Sequence, residues 1–154
     1  MKPLIVLLGS FLIVLACSRL LRKKADHRLA GRTAMSVMLL FTAIGHFIYT
    51  KGMALMLPAF IPFKVMVVYL SGLFEILAGL ALFIPALRKA TGWALIIFFV
   101  LILPANIHAA IRGLDYQTGT YEGPGMSYLW FRIPLQLLFI AWIYWFVLKS
   151  PKPS

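Results

Sequence analysis

A chain of 154 residues, 62% of them hydrophobic, with a mean hydropathy of +0.94, lies well above the roughly 45–50% apolar content of soluble domains and has the length of one compact membrane bundle. Its net charge of +11 sits in short clusters between apolar runs, as orientation signals do in membrane proteins, which argues against nucleic acid as a partner. A single cysteine, Cys17, excludes an internal disulfide and a CxxC redox pair.

Crossing a bilayer takes about 20 apolar residues in helical form. The first such run is Pro3–Leu20. Its short basic start and the tetrapeptide "VLAC" (Val14–Cys17) weakly resemble a secretion signal with a lipoprotein cleavage site. The block "RLLRKKADHR" (Arg19–Arg28) follows at once, and cleavage would leave it on the outer side, so a retained helix with its N-terminus outside fits better. The second run is Ala34–Thr50. After it, "GMALMLPAFIPFK" (Gly52–Lys64) is apolar but short and interrupted by Pro58 and Pro62, which predicts a broken amphipathic piece in the outer interface. The third run is Val65–Leu87 and the fourth Thr91–Ile111, with Pro104 inside it. "RGLDYQTGTYEGPGMS" (Arg112–Ser127) reads as an outer loop. The fifth run is Tyr128–Leu148, in which Pro134 is expected as a first-turn proline.

Charge orders these spans. Arg19, Arg22, Lys23, Lys24, Arg28 and Arg32 mark the first loop as cytoplasmic; Arg88 and Lys89 mark the connection after the third span, and Lys149 and Lys152 the tail. Lys2, Lys51, Lys64, Arg112, Asp115 and Glu122 fall on the other side. Tyr49, Tyr128 and Trp130 stand at the outer border, and Trp93, Trp142, Tyr144 and Trp145 toward the inner one. His27 falls in the basic loop and is expected to be solvated.

Within the spans the polar residues form pairs. Thr42 and His46, Ser71 and Glu75, and Arg132 and Gln136 are each spaced i,i+4 and share a helix face. Asn106 and His108 are about 200° apart around their helix, so Asn106 is assigned to the interior and His108 to the outer rim. By depth the set converges on the outer half of the bundle, with Glu75 as its floor. An ionised group at the bilayer centre costs from ~2.5 to more than 10 kcal/mol. Arg132 is a basic residue well inside a span and grips carboxylates with two donors. The sequence therefore predicts a Glu75–Arg132 contact, direct or through one bridging group, completed by His46, Asn106 and Gln136. Pro104 frees the carbonyl of Val100, and a kink there would open a polar pocket beside Asn106, reached from outside. Thr42 and Ser71 are expected to bond back to their own helices.

From about Arg32 to Leu148 the chain resembles the DoxX-like family of small bacterial membrane proteins. The resemblance is carried by "GHF" (Gly45–Phe47), "YLSGLFEILAGLALFIP" (Tyr69–Pro85), "GWALI" (Gly92–Ile96), "PANIHAA" (Pro104–Ala110) and "RIPLQLLFIAWIYW" (Arg132–Trp145). It implies an all-α polytopic membrane bundle with a four-helix core at 32–148, to which residues 1–31 add a transmembrane helix and basic loop and 149–154 a short cytoplasmic tail. It implies the bacterial inner membrane, and the charge distribution sets the N-terminus outside and the C-terminus in the cytoplasm.

The family takes its name from a small subunit of a thiosulfate:quinone oxidoreductase. Other members are implicated in oxidative-stress complexes, and distant animal relatives assist receptor assembly. Some relatives carry cysteine pairs, which this chain lacks, and that weakens a thiol-redox role. By motif, the resemblance selects His46, Glu75, Asn106, His108, Arg132 and Gln136 as ligand-binding residues, the same set as the helix counting. No nucleophile with a base and no cofactor motif is legible. Two functions from different classes follow. In the first, the pocket takes a small polar or quinone-like ligand within a redox-linked membrane complex, His46 and Arg132 bonding its oxygens and Glu75 accepting a proton. In the second, the protein is an assembly factor or accessory subunit whose helices recognise a membrane-protein partner or a second copy. A metal site from His46, Glu75 and His108 is disfavoured by their separation in depth. Helix packing alone is the plainest reading, since interhelical hydrogen bonds in membranes contribute ~0.6 kcal/mol on average.

Overall fold

A computed structural model describes residues 2–22 and 26–149, with Arg22 described by its backbone alone. Lys23, Lys24 and Lys152, three of the expected cytoplasmic charges, lie outside the described residues. The order is α1 (Lys2–Arg22), α2 (His27–Ile48), α3 (Thr50–Met56), α4 (Lys64–Ala81), α5 (Arg88–Ile111) and α6 (Ser127–Ile143), the last continued by a π-helical segment at Tyr144–Leu148. Among the described residues the structure is all-helical, and α1, α2, α4, α5 and α6 with its extension are long and apolar enough to cross a membrane.

Local chemistry sets the helix ends. α2 starts at His27, earlier than the apolar run, because the Asp26 carboxylate accepts from the Leu29 amide at 2.9 Å and caps it. His27 is exposed there, in the first turn of a helix rather than in a loop. α4 stops at Ala81, short of Leu87. Pro85 has no amide hydrogen and disfavours helix in the residue before it, so the chain passes through tight turns until Arg88 opens α5. The Arg88 guanidinium donates to the Leu82 and Phe83 carbonyls left open there.

The broken segment after the second span resolves into the short α3 and a non-helical stretch, with a turn closed by the Ile61 amide on the Pro58 carbonyl, that ends at Phe63, which holds a left-handed φ of 49°. Pro104 lies inside α5, seven residues before its end, and Pro134 inside α6, seven residues after its start. Pro134 is therefore not a first-turn proline: α6 begins at Ser127, about two turns upstream.

Packing is uneven. α1 lies mainly against α2, α2 against α4, and α5 against α6, while α4 and α5 touch little. The bundle thus consists of an α1–α2–α4 layer and an α5–α6 hairpin. They meet over a core that includes Met35, Met38, Leu39, Leu95, Phe139 and Ile143. Phe74, Phe98, Phe99 and Phe139 form a chain of rings with successive centroids 4.8, 6.0 and 5.6 Å apart, running from α4 across α5 to α6. At the opposite end Trp142 Nε1 donates to the Gly31 carbonyl at 3.0 Å. Gly31 lacks the Cβ that would overlap the Phe146 ring, which lets the π-helical segment close on α2.

Candidate functional site

The division into two layers also divides the polar residues. In the α2–α4 interface, Glu75 is buried at 5% exposure. Its Oε2 lies 2.9 Å from Thr42 Oγ1 and 3.5 Å from His46 Nε2. The other ring nitrogen, His46 Nδ1, lies 3.1 Å from the Val68 carbonyl and 3.3 Å from Ser71 Oγ. A carbonyl oxygen only accepts, so this pattern assigns the hydrogen to Nδ1. Ser71 donates its own hydrogen back to Val67 or Val68, leaving its oxygen free to accept. Nε2, the nitrogen that faces the carboxylate at 3.5 Å, then accepts in the neutral imidazole and donates in the imidazolium. The helices approach closely here because Gly72 faces His46: a Cβ on Gly72 would stand 2.8 Å from His46 Cβ. Gly72→Ala is expected to push the imidazole off Glu75 and cost about 1–3 kcal/mol in stability, read from the unfolding transition of the purified protein.

The second group belongs to the α5–α6 hairpin. Asn106 is buried, and its Nδ2 donates to the Ile102 carbonyl at 2.9 Å, which fixes Oδ1 as the acceptor of the Tyr128 hydroxyl at 3.2 Å. Gln136, 3% exposed, donates through Nε2 to the Phe99 carbonyl. Arg132 stands midway between Tyr128 and Gln136, at i,i+4 from each, so the three form one slanting stripe along α6. Among the described residues, Arg132 Nε and Gln136 Oε1 are buried without a hydrogen-bond partner.

The expected direct ion pair between Glu75 and Arg132 is not formed: among the described residues the carboxylate's charged neighbour is His46. The reason is architectural, since α4 and α5 meet through the Phe74 and Phe98 rings. His108 lies apart from both groups, and its Nδ1 lies 3.0 Å from the Met56 carbonyl at the end of α3. His46, Glu75, Asn106, His108, Arg132 and Gln136 thus occupy three places rather than one. Among the described residues no three His, Cys, Asp or Glu side chains are grouped to hold a metal ion.

Sequence reasoning passed over two participants. Thr42 does bond back to Leu39 at 3.0 Å, but its hydroxyl also reaches Glu75. Its i,i+4 spacing from His46 was the available signal. Tyr128 is a partly buried hydrogen-bonding residue as well as a border aromatic, and its spacing from Arg132 gave the same clue.

Comparison with known proteins gives a match to the family described as "Domain of unknown function (DUF8561)" over residues 35–147. No curated protein and no solved structure matches the chain.

Proposed function

Because this chain belongs to the DUF8561 family, whose function its description leaves open, we propose its role from its own residues: an accessory subunit of a quinone-linked membrane complex, in which His46 and Glu75 hold one exchangeable proton. The observation that carries this reading is the 3.5 Å approach of His46 Nε2 to Glu75 Oε2 inside a span, with Nδ1 committed to Val68. An acid and a base this close keep the pair neutral overall, which offsets the cost of a charge in hydrocarbon. Gain or loss of one proton leaves a net charge on the pair, so its protonation responds to charge changes nearby. That is the coupling required of a proton acceptor beside a redox partner.

The arrangement of α2, α4, α5 and α6, with α1 as an addition, suits a DoxX-type four-helix core in a bacterial inner membrane with the N-terminus outside. The basic residues Arg19, Arg28, Arg32, Arg88 and Lys89 support that orientation. The test is infrared difference spectroscopy on protein in lipid nanodiscs, during pH titration and on reduction of added quinone. A carboxylic-acid carbonyl band that changes in both experiments and disappears in Glu75→Gln supports the reading. A Glu75 band unresponsive to both overturns it.

A second reading, helix fixation or partner assembly, draws support from the interhelical bonds of Ser36 to the Gly79 carbonyl at 2.7 Å and of Gln136 to Phe99. It predicts co-purification of a specific membrane protein and no response of the Glu75 band.

A further inference from the structure

The hairpin group has a feature that internal bonding does not use. Gln136 Nε2 is committed to the Phe99 carbonyl, which fixes the amide so that Oε1 is the atom left over. That oxygen and Arg132 Nε are buried and unpartnered among the described residues, one turn apart on the same face of α6. Their requirements are opposite, because Arg132 Nε–H can only donate and Gln136 Oε1 can only accept. A carboxylate would satisfy the first and leave the second open, and an ammonium would do the reverse. A hydroxyl satisfies both, accepting from the guanidinium and donating to the amide. The cation also favours an acidic hydroxyl over an aliphatic one.

Two surroundings point to an aromatic carrier of that hydroxyl. Phe99, whose carbonyl holds Gln136, is packed against Phe98 and Phe139. Toward the outer end of the same stripe, Tyr128 forms part of the wall of a cavity of about 170 Å³, together with Met56, Leu114, Asp115 and Tyr116. That is close to the roughly 150 Å³ that accommodates a benzene ring in a protein interior.

We infer that Arg132 and Gln136 form a receptor for the hydroxyl of a phenol-like ligand that enters beneath the outer loop past Tyr128. This goes beyond the proton-holding role given to His46 and Glu75 and stands or falls apart from it, because its measurement reads α6 and not Glu75.

The test compares phenol, anisole and toluene, which have nearly the same ring but respectively both hydrogen-bonding functions, the acceptor alone and neither. Binding to protein in nanodiscs is read by ligand-observed NMR against empty nanodiscs. Saturable phenol binding at least about tenfold tighter than that of anisole is expected, because anisole leaves Gln136 Oε1 unpaired. Toluene should follow its partition into lipid. In Arg132→Lys, which keeps the charge but loses Nε–H, the preference for phenol should fall several-fold. Equal binding of the three compounds, or no saturable phenol binding over lipid, overturns the proposal and leaves an ordered water as the occupant. The wild-type series decides the matter even if the variant does not fold.

Discussion

Replacing His46 by Ala should lower the unfolding free energy of the purified protein by about 3 kcal/mol, whereas Glu75→Gln should cost about 1 kcal/mol. The asymmetry follows from what each change leaves behind. Removing the imidazole strands a carboxylate that is 5% exposed with the Thr42 hydroxyl as its remaining partner. The group must then ionise without a counter-charge or take up a proton. The amide introduced by Glu75→Gln is neutral, keeps an acceptor for Thr42 and can face the imidazole without an uncompensated charge. The double variant His46→Ala with Glu75→Gln should be less destabilised than the sum of the two, by about 1–2 kcal/mol, because the stranded charge is gone. Denaturant titrations of the four proteins in one detergent measure the coupling. Additive losses would show that the 3.5 Å approach carries no energy.

The second large effect is expected at Gly52. A Cβ there would overlap the backbone carbonyl of Tyr116, which unlike a side-chain tip cannot rotate away. Gly52→Ala should therefore separate α3 from the 112–127 connection and cost about 3 kcal/mol. The local consequence is measurable apart from stability. The T-shaped contact of Tyr49 with Tyr116, centroids 6.0 Å apart, should be lost, and proteolysis within 112–127 should accelerate. An unchanged cleavage rate would mean that the loop is held from elsewhere.

The five long helices were legible because continuous apolar runs leave little choice in a bilayer, and the i,i+4 spacings placed His46, Glu75, Arg132 and Gln136 on their inward faces. The helix ends were less so. The α2 start depended on a side-chain cap from Asp26, and the α4 end on turns around Pro85, which a hydropathy window averages away. What the fold does not realise is the direct form of the expected Glu75–Arg132 contact. Spacing reports which face of a helix a residue occupies but not which helix that face meets. Two ionisable groups at compatible depth looked like partners, yet the fold sets α4 against α2 and α6 against α5. The nearer base for Glu75 was His46 on α2, and the aromatic chain from Phe74 to Phe139 runs from α4 across α5 to α6.

The matched positions of Pro104 and Pro134 have a mechanical consequence. Each removes an amide hydrogen from its helix, at Val100 O in α5 and at Trp130 O in α6, and each lies seven residues from the helix end that adjoins the 112–127 connection. In an antiparallel pair these places fall within the same portion of the bundle. Bending stiffness is lowest there in both arms at once, so strain applied to the 112–127 connection is absorbed as a shared flexure beneath it. Thr42, His46 and Glu75 belong to helices without an internal proline and keep their spacing while that rim yields.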